Sequence, residues 1–179
     1  MMFKSEDEVV RAIAKAFESN TILSKDGTKV FPGKWTTKKV AKKSETGWDL
    51  VLTRNARPDG YGRFNLVVEV KFVTNKPRSS YFDPSIAAVL LRRDEPETGR
   101  KVGYCLAFNK GIDKKRAGGF FEYIRSRVSN SPRSRKGWRL LKHVGAKYVF
   151  IVDDDDYSVT RYLWKDFLKK TARGGFFEC

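Results

Sequence analysis

Cysteine and histidine are scarce in this sequence of 179 residues, and their scarcity excludes several classes of protein. Two cysteines, Cys105 and Cys179, are too few for a disulfide framework or for a zinc site built from several cysteines. The single histidine, His143, excludes nucleases and hydrolases that need a histidine base together with histidine metal ligands. If the chain is an enzyme, carboxylates and lysine must carry its reaction.

Long apolar segments are also missing. No run of about 18 apolar residues occurs, so no membrane-spanning helix is predicted. The first eight residues are acidic in character and do not form a basic leader before an apolar stretch, which gives no support for secretion. We therefore expect no membrane partner and a location in the cytoplasm, or in the host cytoplasm if the protein is viral.

Acidic residues are outnumbered by basic ones. The chain has 37 Lys and Arg residues against 21 Asp and Glu residues, which gives a net charge of +16 and a pI of about 9.9. In a soluble protein such an excess indicates a polyanionic partner, and nucleic acid is the first candidate.

The length and the 40% content of apolar residues predict one domain over residues 1–179 with a core of its own. Capping residues, alternation and apolar runs predict a helix, three strands, a helix and a strand, followed by further elements. This order is typical of a mixed α/β fold, with a central sheet flanked by helices. The predicted helices are residues 5–20, 83–92, 119–128, 135–143 and 164–171, and the predicted strands are residues 28–31, 49–53, 65–72, 102–108, 148–152 and 158–162.

The predicted strand at residues 65–72 carries two charges on one face. Side chains alternate along a strand, so Glu69 and Lys71 share a face with Val67, while the opposite face is apolar. Burying ionised groups costs several kcal/mol each unless they are paired or bind a metal. A surface ion pair on a half-exposed strand is the structural alternative.

A hairpin between the strands at residues 49–53 and 65–72 would add a second carboxylate. With its loop centred near Asp59, cross-strand partners have residue numbers that sum to about 118, which places Asp49 opposite Glu69. Two like charges about 5 Å apart are unfavourable without a counter-ion, and a divalent cation is the simplest one. Hard cations such as Mg²⁺ take oxygen ligands, so the backbone carbonyl of Val70 is predicted as a third ligand.

The segments Gly47-Trp48-Asp49-Leu50-Val51-Leu52 and Glu69-Val70-Lys71 resemble the two motifs of the PD-(D/E)xK nuclease superfamily, which includes many restriction endonucleases and Holliday-junction resolvases. The resemblance covers about residues 5–108, where the order αβββαβ also matches the shared core. It implies a restriction-endonuclease-like fold, with C-terminal additions over about residues 109–179.

Two further acids enter the resemblance. The literal Pro-Asp pair of the first motif is Pro58-Asp59, but Pro58-Asp59-Gly60 is ordinary turn chemistry, so Asp49 is preferred. Many members also supply an acid from the first helix, and a helical wheel places Glu6 on the apolar face of that helix. A carboxylate favoured by the helix dipole is the alternative role for Glu6.

The resemblance implies a metal-dependent DNA endonuclease that hydrolyses phosphodiester bonds with Mg²⁺, or with Mn²⁺ as a substitute. Asp49, Glu69, Lys71 and Glu6 would be catalytic, and Asp49, Glu69 and Val70 would hold the metal. A structure-specific enzyme like a junction resolvase and a restriction-type enzyme both remain open, and a homodimer is expected because both DNA strands are cut. The alternative is a non-catalytic, basic nucleic-acid-binding protein.

Basic clusters are candidates for contacts with the phosphate backbone of DNA. The acidic run Asp153 to Asp156, in contrast, is predicted to be a solvated turn and not a metal site. The predicted DNA contacts are Lys38, Lys39, Lys42, Lys43, Lys76, Arg78, Arg133, Arg135 and Lys136.

Overall fold

The computed structural model describes residues 3–39, 49–55, 64–73, 102–110 and 147–171. Within these ranges no helix is long and apolar enough to cross a membrane. The helices are α1 (Glu6–Glu18) and α2 (Trp164–Thr171), and the strands are β1 (Leu23–Ser24), β2 (Trp35–Lys39), β3 (Leu50–Arg54), β4 (Phe64–Lys71), β5 (Val102–Asn109), β6 (Tyr148–Val152) and β7 (Val159–Leu163).

The seven strands form one sheet in the order β1-β7-β6-β5-β4-β3-β2. Strand β3 is antiparallel to both β2 and β4, whereas β4, β5 and β6 run parallel to one another. Strand β7 is antiparallel to β6, and β1 is parallel to β7. The fold is therefore mixed α/β, as predicted, with a mixed sheet.

Helix α1 packs its apolar side against one face of this sheet. Val9, Ile13 and Phe17 recur at helical spacing, are almost fully buried, and belong to the same core cluster as Leu50 and Val68 of the sheet. The sequence Ser5-Glu6-Asp7-Glu8 predicts a capping box, which does not form: Ser5 makes no side-chain cap, and Glu8 accepts a hydrogen bond from the N–H of Lys4 at 2.7 Å and not from that of Ser5. The opposite face of the sheet is covered at β5 by α2, where Phe167 stacks on Phe108.

Most predicted elements within the described ranges are confirmed, but the strand predicted at residues 28–31 is wrong. Lys29 makes only an isolated bridge with Leu23, and Phe31 has a φ of 58°, which interrupts an extended chain. The strand that pairs with β3 at its other edge is β2, inside a basic stretch for which no element was predicted. Trp35 anchors it, being buried and donating its indole N–H to the carbonyl of Phe31 at 2.9 Å.

Three predicted helices, at residues 83–92, 119–128 and 135–143, lie outside the described residues. The short strand β1 was not predicted, because two residues carry too little periodicity to be recognised.

Candidate active site

The pairing of β3 with β4 has the predicted register. Leu50 is the partner of Val68 and Val51 is the partner of Val67, so the residue numbers of each pair sum to 118. Asp49 directly precedes β3, and extending the same register by one residue places it opposite Glu69. The pairing of β3 with β4 therefore brings together the two carboxylates that were predicted from the sequence to face each other.

Alternation along β4 separates an apolar face from a charged one. Val68 and Val70 are fully buried in the core cluster with α1, so Glu69 and Lys71 lie on the other face. Glu69 is only 7% exposed, and its Oε1 atom is 2.5 Å from Nζ of Lys71. The pair is thus a buried carboxylate with a partly exposed cation, not the surface ion pair considered as the alternative.

Asp49 is tied to the backbone of β4. Its Oδ2 atom accepts a hydrogen bond from the N–H of Val70 at 2.7 Å. In a strand the N–H and C=O groups of one residue point to the same side, so the carbonyl of Val70 is also directed toward the side of Asp49. The residues predicted as metal ligands, Asp49, Glu69 and Val70, therefore converge on one region between β3 and β4.

The surroundings of Asp49 and Lys71 shift the pKa of each group. Burial and the charge of Glu69 together raise the pKa of Asp49 to about 6, against the opposing effects of the Val70 hydrogen bond and the charge of Lys71. Burial by itself lowers the pKa of Lys71, but its ion pair with Glu69, aided by the charges of Glu6 and Asp49, raises it overall. Lys71 therefore stays protonated at neutral pH, while Asp49 titrates near pH 6.

Glu6 is connected to this site through Lys71. It lies in the first turn of α1 and is partly buried, and its charge contributes to the raised pKa of Lys71. Across the described part of the chain, no three Asp, Glu, His or Cys side chains are grouped so that they could hold one metal ion together. A role of Glu6 as a further catalytic acid stays a prediction.

Two carboxylates and a backbone carbonyl are nevertheless a suitable set for one Mg²⁺ ion. Mg²⁺ usually keeps several of its waters and binds proteins through one or two carboxylates together with phosphate oxygens of the substrate. The raised pKa of Asp49 reflects its burial and the nearby charge of Glu69, and a divalent cation would offset both. The residues present therefore fit such an ion.

Few of the predicted DNA contacts fall within the described residues. Lys38 is exposed on β2, at the edge of the sheet, and Lys39 ends that strand. Exposed lysines also protect edge strands from pairing with other chains, so exposure alone does not assign a role to Lys38. The other predicted contacts lie outside the described ranges: Lys42, Lys43, Lys76, Arg78, Arg133, Arg135 and Lys136. Asp59, the alternative acid of the first motif, also lies outside them.

A buried polar network beside the site was missed by sequence reasoning. Asn109, at the end of β5 and 1% exposed, accepts a hydrogen bond from the N–H of Val73 at 2.6 Å and donates one to the carbonyl of Val73 at 2.9 Å. Its amide also lies 3.3 Å from Oδ1 of Asp154, which in turn accepts from the N–H of Phe3. The network therefore fixes the chain two residues beyond Lys71.

The acidic run from Asp153 to Asp156 departs in part from its prediction. Asp155 and Asp156 are exposed, as expected of a solvated turn, but Asp154 is buried at 7% exposure by the network around Asn109. An asparagine that ends an otherwise apolar strand was the one available signal of such a network.

Cys105 is no competing nucleophile. It is fully buried in β5, and burial raises the pKa of its thiol well above the ordinary value, so the reactive thiolate does not form at neutral pH. The chemistry of this region therefore falls to Asp49, Glu69 and Lys71. No protein-family model, curated protein or solved structure matches the chain.

Proposed function

We propose that this protein is a Mg²⁺-dependent DNA endonuclease of the PD-(D/E)xK type. One observation carries the proposal: Asp49 is set opposite the buried Glu69, with Lys71 on the same face of β4. The described strands β2, β3, β4 and β5, which follow α1, are compatible with the αβββαβ order that the resemblance implies, whose second helix, predicted at residues 83–92, lies outside the described residues.

Asp49, Glu69 and the carbonyl of Val70 would hold the metal. When bound, a divalent cation supplies Lewis-acid activation of the scissile phosphate and of water. Above pH 6 the ionised form of Asp49 predominates, so the two carboxylates then present the charge that such an ion requires. Mn²⁺ would serve as a substitute, because it also favours oxygen ligands.

Lys71 acts as a cation and as a hydrogen-bond donor in this proposal. Because its pKa is raised, it is a poor general base in this arrangement of charges. Its ammonium group, beside Glu69, is suited to stabilise the negative charge that develops on the phosphate as water attacks and the P–O bond breaks. Charge stabilisation is therefore favoured over deprotonation of water as the role of Lys71.

DNA is the proposed substrate because the net charge of +16 favours a polyanion. A homodimer is proposed because two active sites cut both strands of a duplex. Specificity for a branched structure and specificity for a base sequence are both compatible with this site, since neither depends on the carboxylates that hold the metal.

The test is cleavage of supercoiled plasmid by the purified chain with Mg²⁺ or with EDTA. We expect nicking or linearisation that requires the metal and is lost in Asp49→Asn and in Lys71→Ala. Asp155→Asn and Lys165→Ala are the matched controls, because these exposed residues have the same chemical types but lie away from the site. A four-way junction compared with a linear duplex then separates a resolvase from a restriction-type enzyme.

Two outcomes would reject the proposal. One is an absence of cleavage on plasmid, single-stranded, branched and RNA substrates, which would leave the non-catalytic nucleic-acid-binding protein as the better reading. The other is equal cleavage by the wild type and by the site variants, which would assign the activity to a contaminant or to another part of the chain.

A further inference from the structure

A groove separate from the Asp49 site runs along the outer side of α1. Its volume is about 680 Å³, and it lies between this helix and the turn that joins β6 to β7. Arg11 and Lys15 line it from the helix, and Tyr157 lines it from the turn, whereas Asp49, Glu69 and Lys71 do not. Lys4 is a third cation in the lining, which also contains two acids, so the groove combines cations and carboxylates with an aromatic ring.

Tyr157 stands out by its exposure and its backbone. Of the large hydrophobic side chains in the described residues, only Tyr157 is exposed, at 43%. Its φ of 60° places it in the left-handed region, which is unusual for a bulky residue and costs of the order of 1 kcal/mol. The ring makes an edge-to-face contact with Phe3, with centroids 5.0 Å apart. Glycine or asparagine would suit this backbone better, so the choice of tyrosine needs a reason other than the turn.

The cations of the groove are more available than its acids. Within the described ranges, no ion pair joins Arg11 or Lys15 to a carboxylate. Glu8 and Asp156 also line the groove, but each accepts a hydrogen bond from a backbone N–H, at 2.7 Å and 2.9 Å respectively. Each of these acids thus accepts from the protein's own backbone, whereas Arg11 and Lys15 are exposed on α1, and Arg11 donates a long hydrogen bond of 3.4 Å to the carbonyl of Asp7.

We propose that this groove binds single-stranded nucleic acid, with a base stacked on Tyr157 and phosphates contacted by Arg11 and Lys15. Exposed aromatic rings beside cations are the usual platform for single strands, because every base offers a face for stacking. Arg11 and Lys15 are about one helical turn apart on one side of α1, so both reach the same short segment of backbone. The inference does not require cleavage, and it extends the proposed function to a second contact with nucleic acid.

The experiment is fluorescence anisotropy of a labelled oligothymidine with the full chain in EDTA, where metal-dependent cleavage is prevented. Tyr157→Gly is expected to weaken binding by about fivefold or more, since stacking of one base contributes about 1–3 kcal/mol. Its melting temperature should stay the same or rise, because glycine accepts the left-handed backbone. Tyr157→Phe should retain the wild-type affinity.

The electrostatic half of the proposal has its own variants. Arg11→Ala with Lys15→Ala should weaken binding and reduce the salt dependence by about one to two units of slope. Lys29→Ala with Lys165→Ala removes the same amount of charge from exposed positions outside the groove and should change affinity less.

Wild-type affinity in both Tyr157→Gly and the Arg11 and Lys15 double variant would overturn the inference. An equal loss on duplex DNA of the same length would overturn the stacking role, since paired bases offer no free face. If Tyr157→Gly does not fold, Tyr157→Asn replaces it, because asparagine tolerates the same backbone. If the protein binds single-stranded nucleic acid in this way but cleaves no substrate, the proposed nuclease activity is refuted and the proposed binding groove is retained.

Discussion

The carboxylates between β3 and β4 and those in the turn after β6 are opposite in character, because the surroundings of their oxygen atoms differ. In the turn from Asp153 to Asp156, Asp153 and Asp156 accept hydrogen bonds from backbone N–H groups, and Asp153 also forms an ion pair with Lys110 at 2.8 Å. The pKa of Asp156 is lowered by its hydrogen bonds with Ser158.

Between β3 and β4 the opposite holds. Asp49 has one backbone donor, in Val70, but burial and the charge of Glu69 raise its pKa to about 6. The turn has more consecutive acids, yet the carboxylates of Asp49 and Glu69 have fewer donors to offset their charge and would gain more from a bound cation. The supply of donors, not the number of acids, distinguishes a candidate metal site from a solvated turn.

The largest effect that tests this comparison is on cleavage. Asp49→Asn keeps the size and the hydrogen-bond acceptor of the side chain but removes one of the two opposed charges. We expect metal-dependent cleavage to fall about 10³-fold, which corresponds to about 4 kcal/mol of transition-state stabilisation. Asp155→Asn, the same change in the solvated turn, should leave the rate within about twofold. Equal rates for the two variants would show that Asp49 is no more important for cleavage than an acid of the solvated turn.

A second effect concerns the network that joins the two regions. Asn109→Ala removes both hydrogen bonds to Val73 and leaves two buried backbone groups without their side-chain partner. We expect the free energy of unfolding to fall by about 3 kcal/mol in urea denaturation. Asp155→Ala should cost less than about 0.5 kcal/mol.

Asn109→Asp provides a stricter form of this test. The carboxylate can still accept from the N–H of Val73, but it meets the carbonyl of Val73 and the carboxylate of Asp154 without a donor. Asn109→Leu, which has neither the donor nor the acceptor, is the reference. If Asn109→Asp is less stable than Asn109→Leu, the donor role of Asn109 matters most, whereas equal stability would contradict the network as described.

The candidate site was predictable because strand geometry is regular. Alternation placed Glu69 with Lys71, and one assumption about the loop centre gave the register that joins Leu50 to Val68. The same regularity made α1 and the buried strands β5 and β6 recognisable from apolar periodicity.

Elements without such regularity were not predictable. Strand β2 is defined by its pairing with β3 and by the burial of Trp35, and its Lys-rich sequence indicates a loop when taken alone. The burial of Asp154 depends on Asn109, which is 45 residues distant in the chain. Local patterns carry no information on contacts of that range, so the network that supports β4 was missed.

A third effect concerns the free energy of unfolding in the absence of metal, which is expected to fall as the pH rises. The pKa of Asp49 is raised from 3.8 to about 6, so the native state holds this proton more tightly than the unfolded chain. The contribution of this group is therefore complete below pH 4 and is lost as the pH rises through about 6. Wild-type protein in EDTA should lose about 2 kcal/mol of stability over this range.

Asp49→Asn isolates that contribution. At pH 7.5 in EDTA the variant should be more stable than the wild type by about 2 kcal/mol, and at pH 4 the difference should vanish. Urea denaturation at the two pH values measures both quantities. A variant that is less stable than the wild type at pH 7.5 would show that burial and the charge of Glu69 do not disfavour ionised Asp49 as the structure indicates.

The smallest effect is the response of stability to Mg²⁺ itself. An ion that binds the native state at ten times its dissociation constant stabilises the protein by about 1.4 kcal/mol. We expect this shift for the wild type at pH 7.5, measured by thermal denaturation with and without Mg²⁺, and a smaller one at pH 5, where the proton competes for Asp49. Asp49→Asn should show little shift at either pH, whereas Asp155→Asn should respond as the wild type does. Because this readout needs no DNA, a missing shift in the wild type would count against a metal held by Asp49 and Glu69 even if the chain binds nucleic acid.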